Sequence, residues 1–284
     1  MLELSTIPEV QAWSRAQRAA GRRIGVVPTM GYLHEGHLTL VDEARRSTDV
    51  VILTIFVNPL QFGPQEDLAR YPRDLPRDRS LAQSRRVDAL FAPSVEAMYP
   101  PGSEVQVTPG PAGDRWEGAA RPGHFTGVLT VVAKLFHLIE PDVACFGRKD
   151  LQQLTLVRQM VRDLNWPVDI VGVPTVREHD GLALSSRNAY LDAADRRRAV
   201  VLSQALQAAH QAYCGGERGA RALEQRMREQ LSREPQVQVE YIAITEPEQL
   251  QPISEVDART MVAVAARIGS TRLIDNISLA QGLG

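Results

Sequence analysis

Short β-rich runs alternating with stretches of helical spacing constrain this chain more than any other feature. The runs Ile24–Val27, Val50–Val57, Asp88–Ala92, Val143–Phe146 and Val168–Val173 are separated by segments long enough for a crossover. Parallel strands cannot be joined by a tight turn and need such crossovers, so the order predicts an α/β fold, a doubly wound parallel sheet covered by helices. The clearest helix follows Asp150, where Leu151, Leu154, Val157, Met160, Val161 and Leu164 recur at steps of three and four before Pro167. A second is expected over Phe125–Ile139, closed by Glu140-Pro141.

Past about Val176 the texture changes. Helical stretches at Ala193–Tyr213 and Ala220–Leu231 precede two β-like runs, Val237–Thr245 and Thr260–Ile268. The expected division is therefore residues 1–176 as a nucleotide-type domain and 177–284 as a smaller α+β C-terminal lid domain. With 284 residues the chain can bury a sizeable core in one large or two moderate domains.

Several function classes are disfavoured. The balance of 32 basic against 34 acidic residues lacks the positive excess that holds a nucleic-acid backbone. The Arg196-Arg197-Arg198 cluster sits among acids and alanines and reads as a solvated helix face. No apolar run approaches the ~20 residues of a membrane-spanning helix, and the N-terminus lacks the pattern of a signal peptide. Cys145 and Cys214 make neither a disulfide framework nor a zinc pair, which suits a reducing, cytoplasmic compartment.

Four segments carry chemistry. Ile24 to Leu38 leaves a strand, turns through Pro28 and Gly31, and enters a helix near Gly36. Backbone N–H groups at such a helix start attract phosphate, and His34 and His37 are spaced to face the same phosphate chain. The His-Glu-Gly-His spacing is one residue too short for the metalloprotease helix motif. In Gly181–Asn188, Ser185 and Ser186 offer hydroxyl donors and Arg187 a planar fork for a leaving polyphosphate. In Phe146–Gln153, Lys149 follows a strand end, while Asp150 and Gln153 also fit a capping box. After the second strand, Asn58 and Gln61 supply neutral hydrogen-bonding groups.

These blocks, Pro28–Leu38, Phe56–Gly63 with Tyr71-Pro-Arg73, Gly123–Phe136, Gly147–Asp150 and Leu184–Asn188, resemble the pantothenate synthetase family and cover most of residues 24–190 in the family's order. The resemblance implies a Rossmann-like domain with a smaller C-terminal domain, in a ligase of the nucleotidyltransferase and class I synthetase-like superfamily. Such a ligase condenses (R)-pantoate with β-alanine through a pantoyl adenylate, releasing AMP and pyrophosphate. It implies that His37, His34, Lys149 and Arg187 are catalytic. The ATP site would comprise Met30, Gly31, Tyr32, Leu33, His34, Glu35, Gly36 and His37, then Gly147, Arg148, Lys149 and Asp150, and finally Val176, Leu184, Ser185, Ser186 and Arg187. Gln61 and Gln153 would bind pantoate, Gln61 also touching β-alanine, with Asn58 a further substrate-binding residue; a Mg²⁺ ion would accompany ATP, with Asp78 as an outer ligand. A homodimer with neither nucleic-acid nor membrane partners is expected. Tyr32, His179 and Leu184 depart from the family's pattern without removing a polar catalytic group. The alternative on the same motifs is another nucleotidyltransferase that moves AMP to a small acceptor.

Overall fold

The computed structural model describes residues 1–283, which form two compact units. The first comprises Met1–Gly113, Arg121–Gly147 and Leu156–Val173. The second comprises Asp114–Ala120, Arg148–Thr155 and the chain from Pro174 onward. The long C-terminal stretch thus starts close to the expected boundary at Val176, but two short segments from earlier in the chain join it, so a single cut does not describe the division.

The first unit is built on a six-stranded parallel sheet of β1 (Leu2–Leu4), β2 (Ile24–Thr29), β3 (Val50–Ile55), β4 (Ala89–Phe91), β5 (Val143–Gly147) and β6 (Asp169–Val173), in the order β1-β4-β3-β2-β5-β6. Its helices are α1 (Ile7–Ala19), α2 (Glu35–Ser47), α3 (Leu75–Ser84), a short α4 (Val95–Met98), and, past the brief α5 (Glu117–Ala120) of the second unit, α6 (His124–Ile139). Helix α7 (Leu151–Asp163) is divided between the units. The five expected strands and both expected helices are present, and Leu2–Leu4 adds an edge strand too short for period-two alternation to reveal.

From β2 the chain winds outward through β3 to β4, then returns to place β5 on the other side of β2, with Gly25 opposite Val143 and Val26 opposite Ala144. The strand order therefore switches direction between β2 and β5, and ligands of open α/β sheets bind outside the carboxyl ends of the strands at such a point. One core cluster packs Leu40, Val41 and Ala44 of α2 and Ala82 of α3 against Val27, Leu53, Leu90 and Cys145 of the sheet. Burial pushes the Cys145 thiol up to about 12, so it packs as a small apolar group.

The second unit carries α8 (Ala193–Ala199), α9 (Val201–Cys214) and α10 (Ala220–Leu231) with an antiparallel sheet of β7 (Val237–Thr245), β8 (Met261–Ile268) and β9 (Thr271–Ser278). The single helix expected over 193–213 is two, meeting at Val200. Leu202, Leu206, Leu223 and Met227 pack on Val262, Val264, Leu273 and Ile277. Arg196, expected on a solvated face, is ion-paired with Glu178 and Asp180.

Strand β9 was not anticipated, because Asp275-Asn276 interrupts its apolar alternation. The available signal was Gly269-Ser270: Ile268 pairs with Thr271 across a two-residue hairpin turn whose first residue has φ +56°. Leu273 and Ile277 face the core, so by the strand's period of two Arg272 and Asn276 lie on the opposite face. That face explains why the two earlier segments belong to this unit. Arg272 forks onto the buried Glu117 carboxylate at 2.6 and 2.8 Å, and Asn276 bonds the Arg148 and Lys149 carbonyls. Gln152 links the two segments, its Oε1 accepting from Glu117 N at 3.0 Å and its Nε2 donating to Arg115 O at 2.9 Å.

Among the described residues, no helix is long and apolar enough to cross a membrane.

Candidate active site

In the first unit the chain leaves β2 through a turn whose geometry is set by two consecutive left-handed residues, Gly31 (φ 84°) and Tyr32 (φ 50°). A Cβ at Gly31 would meet Ile55 Cγ2 at 2.9 Å, so glycine is needed for both space and angle. Asp78 of α3 closes the turn: one carboxylate oxygen accepts Tyr32 N and the other Leu33 N, both at 2.7 Å. Burial raises the Asp78 pKa, against the opposing pull of those two bonds and of Arg77. Both oxygens thus accept from backbone N–H groups, so Asp78, expected from sequence as an outer metal ligand, has in the structure the role of bracing the Gly31–Leu33 turn. Arg77 lies over the Tyr32 ring at 5.2 Å and donates to Leu33 O at 2.9 Å, giving the unexpected tyrosine a partner.

His34 is the N-cap of α2. Its Nδ1 accepts from Gly36 N at 3.1 Å, and His37 Nδ1 accepts from His34 N at 3.3 Å, a reciprocal capping box made of two imidazoles. An Nδ1 that accepts a backbone N–H carries no proton, so each neutral ring bears its proton on Nε2. The ring centroids lie 4.0 Å apart, with the planes tilted by 35°. The helix start therefore adds two imidazole N–H donors to the partial positive charge of its own backbone, an arrangement suited to phosphate oxygens. Glu35, which follows the cap, pairs with Arg85.

Gln61 lies after β3 in a short 3₁₀ turn, Pro59–Gln61. Its Oε1 accepts from Asn58 Nδ2 at 3.1 Å and its Nε2 reaches Met30 Sδ at 3.1 Å, which brings the second segment against the first. Asn58 also donates to Gly127 O, while its Oδ1 accepts from Tyr99 and from Leu60 N. With both ends of its amide so engaged and the residue 1% exposed, Asn58 holds Gln61 rather than contacting substrate directly as expected.

Sequence reasoning missed the support behind Gln61. Helix α6 approaches so closely that a Cβ on Gly127 would lie 2.2 Å from Leu60 O. His124 Nδ1 donates to Gln61 O at 2.8 Å, and Arg121 donates to the same oxygen at 3.2 Å while forking onto Glu66 with two bonds of 2.7 Å. Burial works to raise the Glu66 pKa, but the Arg121 guanidinium outweighs it and leaves Glu66 below its ordinary 4.5. Gly123-His124 stood within a recognised block, but nothing in its spacing disclosed a partner at position 61.

In the second unit, Arg148 and Lys149 follow directly on Gly147, the last residue of β5, and precede α7. Lys149 Nζ lies 3.9 Å from an Asp150 oxygen, and Asp150 O accepts from Leu154 N in the first turn of the helix. Gln153 is half-buried in that same turn. Val176 and Leu184 are joined by a 2.9 Å bond from Leu184 N to Val176 O, beside an Arg177–Ala183 bridge. This small hairpin delivers Ser185, whose Oγ accepts Arg187 N at 3.3 Å and starts the turn carrying Ser186 and Arg187.

A parallel sheet with a reversal of strand order, and behind its central strand a helix start equipped with imidazole donors, defines an α/β nucleotide-binding protein. The model of the family described as pantoate–β-alanine ligase matches residues 3–278. The chain is 53% identical over 274 residues to the pantothenate synthetase of Heliobacterium modesticaldum, covering 96% of this chain and 98% of that one. It is 51% identical over 276 residues to that of Desulfitobacterium hafniense, covering 97% and 98%. Among solved structures, pantothenate synthetase from Thermus thermophilus superposes with a TM-score of 0.94 at 51% identity, covering 98% of this chain and 99% of that one. The pantoate–β-alanine ligase of Francisella tularensis, complexed with β-γ ATP and β-alanine, superposes at 0.81 with 32% identity over the whole of both chains. The chain belongs to the pantoate–β-alanine ligase family, the pantothenate synthetases.

Proposed function

We infer that this protein is an ATP-dependent ligase joining (R)-pantoate to β-alanine through a pantoyl adenylate. The observation that carries the site reading is the reciprocal imidazole cap at the start of α2, beside the sheet's switch point: backbone partners at both Nδ1 atoms put the ring protons on Nε2, the donor type that phosphate oxygens accept. A pantoate carboxylate oxygen attacks the α-phosphorus of ATP and pyrophosphate leaves with the bond's electron pair. His34 and His37 donate to the phosphate oxygens as negative charge grows there, Lys149 meets the α-phosphate, and Arg187 forks onto the departing pyrophosphate. Ser185, Ser186 and the backbone of Gly147–Asp150, Val176 and Leu184 line the nucleotide. The β-alanine amine then attacks the acyl carbon of the mixed anhydride, forming the amide and releasing AMP. Gln61 and Gln153 orient pantoate with uncharged donors, and the 177–284 domain acts as a lid.

Mg²⁺ bound with ATP would screen the triphosphate and keep several of its waters. Among the described residues no group of three or more His, Cys, Asp or Glu side chains is placed to hold a metal ion, and both Asp78 oxygens are engaged. The family reading carries with it a cytoplasmic homodimer.

The test is incubation with ATP, pantoate and β-alanine, omitting each in turn, while following AMP, pyrophosphate and product mass. Pyrophosphate release that requires pantoate but not β-alanine is expected. AMP transfer to another acceptor, with no pantoate-dependent release, would overturn the reading.

A further inference from the structure

Lys149 stands on a short loop in the second unit, and the feature that fixes that loop comes from β9, where no motif points to function. Asn276 is 6% exposed, and its Nδ2 donates to Lys149 O at 2.7 Å and to Arg148 O at 3.0 Å. One planar amide nitrogen therefore spends both its hydrogens on two consecutive carbonyls, which fixes the two peptide planes that flank the Lys149 Cα. Aspartate has the same shape and no donor; serine and threonine have one donor each; glutamine carries its amide one methylene further out. Asparagine is the side chain that fits.

Asn276 is itself anchored. Its backbone N donates to an Asp275 carboxylate oxygen at 2.7 Å, and Asp275 takes both arms of Arg177 at 2.7 and 2.9 Å. Arg177 also donates to Asn276 O at 3.3 Å and Gly181 O at 3.0 Å, at the root of the hairpin that leads to Ser185, Ser186 and Arg187. Two adjacent residues of β9 thus brace both loops of this unit that carry anion-binding side chains.

We propose that Asn276 is a positioning residue for Lys149, holding the peptide planes on either side of the Lys149 Cα so that the ammonium group meets the α-phosphate during adenylation. The proposal rests on the assignment of Lys149 to that phosphate.

The experiment compares Asn276→Ala, Asn276→Asp, Lys149→Ala and the double variant Lys149→Ala/Asn276→Ala by pantoate-dependent pyrophosphate release under saturating ATP. Circular dichroism and thermal melting establish that each variant is folded. A misplacement of about 1 Å can cost on the order of 10²-fold in rate, so both Asn276 variants should lose roughly 10- to 10²-fold in kcat while the KM for pantoate stays near that of the parent. The double variant should be no slower than Lys149→Ala, because Asn276 acts through the missing ammonium group. Asn276→Asp keeps the side chain's shape and keeps the test open should Asn276→Ala not fold. Near-parental kcat in folded Asn276 variants, or losses that multiply in the double variant, would overturn the proposal and leave the role of Lys149 standing. Full activity in Lys149→Ala would instead overturn the assignment beneath it.

Discussion

At the start of α2, the groups that fix the two imidazoles lie two or three residues away in sequence, whereas the loop bearing Lys149 is held by an asparagine 127 residues further along. The first arrangement closes on itself: a helix that begins at Glu35 needs acceptors for its orphan N–H groups, and His34 and His37 supply them. The second arrangement depends on a strand that arrives last in the chain. A mutation in the local device changes one helix start; a mutation in β9 reaches Lys149 through its own backbone.

The variant able to break this contrast most sharply is His37→Ala. Losing one electrostatic donor should slow pantoyl adenylate formation by about 10²-fold or more. His37→Asn retains an acceptor for His34 N but no Nε2–H, and should be nearly as slow. Parental turnover in the asparagine variant, measured as pyrophosphate release, would reduce His37 to a cap. Next in size is Asp78→Asn, which turns an NH₂ toward one of two backbone N–H groups in the Gly31–Leu33 turn. It should lower stability by about 1–3 kcal/mol in urea denaturation and raise the KM for ATP.

Gln61→Ala and Gln153→Ala set one unit against the other with the same chemistry. Each should weaken pantoate by roughly 10-fold, about the worth of one hydrogen bond, and ATP by less. Calorimetric titrations showing equal losses for the two ligands would contradict the assignment. The smallest expected effect is a pH dependence at Glu66. Its pKa is held below 4.5 in the folded protein, so its pairing with Arg121 contributes stability in full above that value and loses it as the pH falls through the folded pKa. Glu66→Gln should therefore flatten the decline of thermal stability below about pH 4.5.

What could be read without coordinates follows the same division. Strands β2 to β6, helices α6 and α7, and the His34/His37 helix start were legible because period, caps and turn glycines act over a few residues. That Asp78 braces the Gly31–Leu33 turn and Asn58 braces Gln61 is not legible in the sequence, because the backbone N–H groups of Tyr32 and Leu33 and the α6 carbonyl that occupy them lie 45 to 69 residues away. Strand β9 announced its hairpin through Gly269-Ser270, but no local pattern could say that Asn276 faces the carbonyls of Arg148 and Lys149.

The sequence by itself determined the alternation that forces a parallel sheet, the paired-histidine cap and the family to which the chain belongs, since each is written in neighbouring residues. Only the tertiary structure decided which buried polar groups satisfy one another: Asp78 with the Gly31–Leu33 turn, His124 and Arg121 with Gln61, and Asn276 with the lysine loop. A buried donor or acceptor must find a partner, but the identity of that partner depends on which distant segments the packed core brings within 3 Å or so.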